Sequence, residues 1–553
     1  AGILKDFKML RDLGCFTNIT TTRPPGKAPP PAEQRFKIKY REQQPIALGD
    51  LPPQSWKVRT VARGDRFRPG EHFDKTAAPT IHAPTLKIFI AWIVQEGLLP
   101  YQFDQSNAFY GNPMDVAGIV LMLPPGFDPH SDKLRPLHLP PLYGEMVKGV
   151  PGIPQGSLLQ YNTVAPRLRN MGFEPMAAEP CLFLHTTKTM ATSLFVDDGV
   201  LGVPTHADAE QFFKEFGRDR KVTWEPLSNT LGIEFVVKYD PHQRSIFMHQ
   251  EQYALTVLER AGMQDCSPAK TPAVAGRNLS KTDGPATDTE RAALEEKGLH
   301  QSKYRSVCAA INYLATITRD DIRFAQGKNA KYCLNPGAIH FLAQQHLLKF
   351  IKGTTQYGVE FVWKASDPAP VDGPLTIEAF SDSSFADDID TARTTVGNVI
   401  KVNGATVSAT SKLGKRVDSC VNHSELDAFT DCVDGTFTDS SACALVKTSR
   451  TVKWLRGIKA AFERRDEANM PPTPVYVDNA GVLSMVNDVT IKAANKHIYR
   501  TLAEARVLVQ VEKVVTPIKI ATNDNISNAM TKQEPGIEKS AAQLRQVTGP
   551  ALY

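Results

Sequence analysis

Three carboxylates carry the first chemistry that the chain can do. Asp104 ends the run Tyr101-Gln-Phe-Asp104, and Asp197 and Asp198 stand together where the apolar run Ser193-Leu-Phe-Val196 breaks at Gly199. Adjacent acids inside an apolar strand are costly unless something cationic neutralises them. Two Mg²⁺ ions about 3.5–4 Å apart, bridged by such carboxylates, are the arrangement for in-line displacement at phosphorus. One ion lowers the pKa of an attacking hydroxyl and the other stabilises a leaving pyrophosphate. Mg²⁺ is hard and takes oxygen ligands, so Asp is the residue type expected. Taken alone, Asp197-Asp198-Gly199 reads more simply as a tight turn, because Asp and Gly are common turn residues.

A second set lies downstream. Phe380-Ser-Asp382 ends an expected strand, Ser424-Glu425-Leu426 falls in the first turn of an expected helix, and Val475-Tyr-Val-Asp478 ends another strand. An acid near the positive end of a helix is favourable in its own right. Glu425 by itself therefore reads as a helix-start acid, and only the ordered trio lowers that reading.

The elements that must hold these residues follow from periodicity. Leu86, Phe89, Ile90, Ile93 and Val94 make one apolar helical face after Pro84 and Thr85. Strands are expected at Phe36–Tyr40, Tyr101–Asp104, Ile119–Leu123 and Thr192–Val203, the last interrupted by the two acids. A hairpin is expected around Asp240-Pro241, and another at Val396–Ser408 with Asn403-Gly404 as its turn. Helices are expected at Tyr253–Met263, Tyr304–Tyr332, Ala338–Ile351 and from His423. Thr271–Leu299 reads as a linker, Ser366–Gly373 as the clearest domain boundary, Thr376–Phe380 and Pro474–Val477 as strands, and the last fifty residues as helical.

Composition bounds the rest. The chain has 553 residues, which is about three or four domains at roughly 100–200 residues each. Hydrophobic residues at 42% and charged residues at 22% exclude a mainly disordered, collagen-like or coiled-coil chain. Lys+Arg 64 less Asp+Glu 59 gives +5, which permits a nucleic-acid partner without demanding one. Residues 1–75 hold 15 Lys/Arg against 8 Asp/Glu, so the basic excess of +7 is local to the start. Eight cysteines without a CxxC pair argue against a zinc ribbon and for reduced thiols inside a cell. No apolar run is long enough to span a membrane. A start at Ala1 rather than Met leads us to expect a piece processed from a longer product.

Set in order along the chain, these motifs become specific. Val196-Asp197-Asp198, Gln102-Phe-Asp104-Gln-Ser-Asn-Ala-Phe109 and Gly152-Ile-Pro-Gln-Gly-Ser157 stand with Pro24-Pro-Gly-Lys27, Lys57-Val-Arg-Thr-Val-Ala-Arg-Gly64, Leu123-Pro-Pro-Gly-Phe127, Leu142-Tyr-Gly144 and Ile317-Thr-Arg-Asp-Asp-Ile322. Together they resemble the reverse transcriptase and RNase H part of the copia-type retrotransposon polyprotein, over almost the whole chain. The resemblance implies an α+β / α/β multidomain fold: a right-hand polymerase of fingers, palm and thumb, then a connection and an RNase H-like α/β domain. The expected division is 1–100 for an N-terminal segment and fingers, 101–265 for the palm with remaining fingers, 266–370 for thumb and connection, and 371–553 for the RNase H-like domain.

By the same resemblance Asp104, Asp197 and Asp198 hold the polymerase metals, and Asp382, Glu425 and Asp478 hold those of the nuclease. Two Mg²⁺ per site are implied, with Mn²⁺ as a substitute. Arg59 first and Lys57 second would face the triphosphate, where fixed cations stabilise developing charge. As isolated residues, they and Arg63 read as surface charges. Phe109 would close the space of a ribose 2′-OH, and Gln155 and Gly156 would lie against nucleotide and template, although Glu145–Pro151 replaces the family's short link there. Phe195 stands where the family usually has Tyr. Asn528 stands where it carries a fourth acid, so a weakened RNase H activity is expected. His497, in Lys496-His497-Ile498-Tyr499, is an accessory position near product release or a surface histidine.

The implied partners are an RNA template, a DNA primer, an RNA–DNA hybrid and dNTPs, with no membrane. The implied place is intracellular, in a cytoplasmic virus-like particle or the nucleus. No Asp-Ser/Thr-Gly protease signature or His/Cys integrase module occurs, so self-processing and DNA integration are not expected. The competing readings are a non-catalytic nucleic-acid-binding remnant of a decayed element, and a nuclease using only the C-terminal part.

Overall fold

The computed structural model describes residues 2–22, 35–40, 56–368, 372–415, 417–418, 420–433, 452–488, 498–533 and 544–549. His497 and the Pro24-Pro-Gly-Lys27 motif lie outside them. The chain divides into two compact units: Ala1–Ile81 with Tyr101–Glu225, and His82–Pro100 with Pro226–Tyr553.

The first unit is built on a six-stranded sheet in the order Val222–Pro226, Leu99–Gln105, Asp198–Val203, Ala191–Phe195, Leu182–His185, Phe173–Pro175. Strand side chains alternate between faces. Phe103 is buried and meets Phe212, Phe213 and Phe216 of the helix His206–Phe216 edge-on or tilted. Its neighbour Asp104 is thereby turned away and is exposed. Thr205 starts that helix by accepting from the Asp208 N–H, which satisfies one of the orphan donors of the first turn. A three-stranded sheet (Phe16–Thr20, Tyr143–Met146, Val120–Met122) and a two-stranded one (Arg35–Tyr40, Trp56–Val61) complete the unit.

The second unit holds two sheets. One runs Asn229–Thr230, Ile233–Tyr239, Gln243–His249, Gly358–Lys364. The other runs Ala405–Leu413, Thr395–Val402, Ile377–Ser384, Thr473–Val477, Val515–Lys519, antiparallel among its first three strands and parallel across the last two pairings. Asn403 and Gly404, with φ of 50° and 78°, make the expected turn between Thr395–Val402 and Ala405–Leu413.

Several expectations are corrected. The supposed linker Thr271–Leu299 contains the helix Asp288–Glu296, capped by Thr287. The supposed helical tail contains the strand Val515–Lys519, whose partner is Thr473–Val477. Gly358–Lys364, unassigned in the sequence, is a strand paired with Gln243–His249. Asp382 lies inside its strand rather than at its end.

The helix Ala83–Glu96 departs from its one-faced pattern, because every residue from Pro84 to Val94 is buried. The N-terminal-and-fingers span contained this helix, but it packs in the second unit. There Trp92 and Phe89 stack on Phe462 at 4.5 and 6.1 Å between centroids. Lys87, fully buried, donates to Asp320 at 2.7 Å, and Asp320 also accepts from Arg323 at 2.8 Å.

Candidate active sites

The first site forms at the tip of a hairpin. Asp198 pairs with Phe195 across the ladder, which leaves Val196 and Asp197 as a two-residue turn. Val196 has φ of 60°, a left-handed conformation that costs a β-branched residue about 1–2 kcal/mol. The turn is held from two sides. The Gln105 N–H donates to the Asp197 carbonyl at 2.8 Å. The buried Gln160 amide reaches toward Gln105 Oε1 and the Val196 carbonyl, both at 3.4 Å, and its own Oε1 accepts from Arg220 at 3.1 Å. Gly199 has no room for a side chain: a Cβ would stand 2.2 Å from Phe103 and 2.5 Å from the Ser193 carbonyl.

Asp104, Asp197 and Asp198 are thus brought to one place. Burial, then the charges of Asp197 and Asp104, push the Asp198 carboxyl up to about 6. The trio is more open to solvent than the second site, with Asp104 exposed and Asp197 and Asp198 half-buried. Gln160 and Arg220 were not anticipated; the only signal in the sequence is a glutamine inside a short helical run after Gly156.

The proposed nucleotide residues belong to the same unit and fall unequally. Arg59 is exposed on the strand Trp56–Val61, opposite Lys37. The backbone of Lys57 lies on the same strand, opposite Lys39. Arg63 is committed to Asp65 at 2.6 Å, and that bond holds the Asp65 carboxyl down at about 2. Phe109 lies against Gly156, where a Cβ would come within 3.2 Å of its ring. Gln155 is fully buried, and its amide donates to the His72 carbonyl at 3.0 Å. The end of the Arg59 strand rests on the Gly152 loop: the Ala62 N–H donates to the Pro151 carbonyl at 2.8 Å, and position 152 requires glycine, since its φ is 92° and a Cβ would stand 2.4 Å from the Ala62 carbonyl.

The second site lies where two parallel strands meet. Ser381 is in register with Val477, so the following residues, Asp382 and Asp478, emerge side by side. The helix Val421–Val433 packs on that strand and brings in Glu425. One oxygen from each of Asp382, Glu425 and Asp478 lies within 4.8 Å of the others. Burial is the first cause that raises Asp382, to about 6, and it raises Glu425 well above the carboxylate range, with Asp382 and Asp478 adding to the latter shift. Glu425 Oε2 is buried with no hydrogen-bond partner. An orphaned buried carboxylate oxygen between two other acids is a donor set that fits a hard divalent cation.

Two residues near this site, Thr531 and Lys532, were not singled out in the sequence, whereas Asn528 was. Thr531 donates to Asp382, and the Lys532 ammonium stands 4.0 Å from the same oxygen. Asn528 is fully buried and donates to the Thr522 carbonyl at 2.6 Å. A separate buried group, Asp418, His423 and Asp427, also brings three ligand atoms within 4.8 Å.

Comparison with known proteins shows what the chain is similar to. Residues 47–275 match the family model for reverse transcriptase (RNA-dependent DNA polymerase). The retrovirus-related Pol polyprotein from transposon TNT 1-94 of Nicotiana tabacum is 24% identical over 525 residues, 93% of this chain and 35% of that protein. The chain is similar to the copia-type retrotransposon Pol polyproteins. The Pol polyprotein from transposon RE1 of Arabidopsis thaliana is 26% identical over 86% of this chain and 29% of its own length. The chain spans about a third of the length of the curated relatives it matches. A solved RNase H1 isolated from compost shares 13% identity over 28% of this chain and 92% of its own, with a TM-score of 0.18. No helix among the described residues is long and apolar enough to cross a membrane.

Proposed function

We propose that this Pol region is an RNA-directed DNA polymerase joined to an RNase H centre, copying retrotransposon RNA into DNA. The observation that carries the reading is the convergence, within one unit, of Asp104 with the Asp197-Asp198 hairpin, strained at Val196. Divalent cations, Mg²⁺ with Mn²⁺ as substitute, would be held by Asp104, Asp197 and Asp198, and would activate the primer hydroxyl and stabilise leaving pyrophosphate. The chain's own residues do the rest. Arg59, with Lys57 on the same strand, attracts the triphosphate. Phe109, backed by Gly156, closes the sugar side and favours dNTPs. Gln155, buried behind them, supports the wall rather than touching the nucleotide. Gln160 and Gln105 keep the turn from relaxing.

In the second unit Asp382, Glu425 and Asp478 would hold the ions that hydrolyse the RNA strand of a hybrid. Lys532 and Thr531 compete for Asp382, and Asn528 supplies no charge, which supports slower cleavage than at a four-carboxylate centre. Binding to the RNA template, DNA primer and hybrid would be mainly to phosphates and weaken with salt.

Primer extension on an RNA template with dNTPs and Mg²⁺ tests the reading. Asp197→Asn is expected to cut incorporation by about 10³-fold or more, removing charge stabilisation worth several kcal/mol. A folded wild-type chain that extends nothing would point instead to a non-catalytic binding remnant.

A further inference from the structure

Asp6 is a buried carboxylate that the proposed chemistry does not use. It lies in the first helix, Gly2–Asp12, at 3% exposure. One oxygen accepts from the Thr60 N–H at 2.8 Å and from the Thr60 hydroxyl. The other accepts from the Tyr110 hydroxyl at 2.9 Å. Thr60 is fully buried and Tyr110 nearly so. Among the described residues, no ion pair to Asp6 is formed, so its charge rests on these three donors.

The partners are informative by position. Thr60 follows Arg59 on the strand Trp56–Val61, and Tyr110 follows Phe109. Along a strand adjacent side chains point to opposite faces, so holding Thr60 inward fixes Arg59 outward. Tyr110 caps a turn, its N–H donating to the Asn107 carbonyl at 2.9 Å, and the same turn sets Phe109 against Gly156. The field of Arg59 also reaches the Tyr110 phenol. One carboxylate thus ties together the two segments that would grip opposite ends of a nucleotide.

We propose that Asp6 is a positioning residue that fixes the spacing between Arg59 and Phe109, and so sets how tightly a deoxynucleoside triphosphate is held and how strongly a ribonucleotide is refused. The proposal rests on the polymerase reading. A buried carboxylate with three hydrogen-bond donors suits this task, because hydrogen bonds to a charged acceptor are stronger than neutral ones.

The test compares wild type, Tyr110→Phe and Asp6→Asn in single-nucleotide primer extension, with melting curves to confirm folding. Tyr110→Phe removes one donor and keeps the ring. Asp6→Asn places an amide N–H against a donor. Both are expected to raise KM for dNTP and to lower discrimination against ribonucleotides, each about tenfold, with kcat changed far less. Thr60→Ser, which retains both donors, should keep values near wild type. Variants that melt lower yet keep KM and sugar discrimination would overturn the proposal and leave Asp6 a purely structural residue. Should Asp6→Asn fail to fold, Tyr110→Phe alone decides between these outcomes. Absence of incorporation by the wild-type chain would overturn both the proposal and the polymerase reading, and is told apart by the control lane.

Discussion

At the scale of single residues, both sites store unfavourable free energy. Val196 holds φ of 60° at the hairpin tip, and strain of this kind persists only where its surroundings over-determine it. Val196→Gly is expected to raise stability by about 1 kcal/mol and to lower incorporation, because the tip that aims Asp197 loosens. Urea unfolding beside primer extension checks both parts; a gain in both would contradict the account.

The acids of the second site behave similarly. Asp382 is raised to about 6, and Glu425 is raised further. A carboxyl with a raised folded pKa binds more protons in the native than in the unfolded state between its two pKa values. Stability contributed this way is present at low pH and is lost as pH rises through about 4 to 6. Without divalent metal, Glu425→Gln should therefore melt a few degrees higher than wild type at pH 8 and no higher at pH 4. Added Mg²⁺ should raise the wild-type melting temperature more at pH 8 than at pH 5, and leave Glu425→Gln little changed.

At the scale of elements, the sequence was legible where one element's neighbours are close in the chain. The hairpins around Asp240-Pro241 and Asn403-Gly404 fall where turn chemistry puts them. Gly358–Lys364 and Val515–Lys519 escaped notice because their partners, Gln243–His249 and Thr473–Val477, lie far upstream. Short apolar runs carry no sign of a distant edge that waits for them. The helix Ala83–Glu96 was legible as a helix, but its environment was not: Lys87 is not among the residues of the expected apolar face and is buried against Asp320. Burial of Lys87 depresses its pKa, and Asp320 opposes that shift. Asp320→Asn leaves Lys87 buried beside a neutral amide and is expected to cost about 3–5 kcal/mol. Lys87→Met should cost much less, since Arg323 still pairs with Asp320. Equal losses on chemical denaturation would contradict this reading.

At the scale of the whole molecule, the order of the acidic motifs was legible and their supports were not. Asp104, Asp197 and Asp198 meet in one unit, and Asp382, Glu425 and Asp478 in the other. Asp197 and Asp198 show in the sequence because they interrupt an apolar run, Asp104, Asp382 and Asp478 because they follow apolar strand residues, and Glu425 only through its order between the last two. Gln160, Thr531, Lys532 and Asp6 reach their targets through tertiary folding alone, and nothing in local spacing marks them. Because the two centres draw on separate residues in separate units, their chemistries are expected to be separable by mutation.

One reaction tests that claim: a labelled DNA primer on a labelled RNA template with dNTPs and Mg²⁺, run with wild type, Asp197→Asn and Asp382→Asn. The account predicts that Asp197→Asn loses extension and still cuts a preformed hybrid, while Asp382→Asn extends normally and leaves the RNA intact. Loss of both activities in either folded variant, or neither activity in the wild type, would contradict two independent centres.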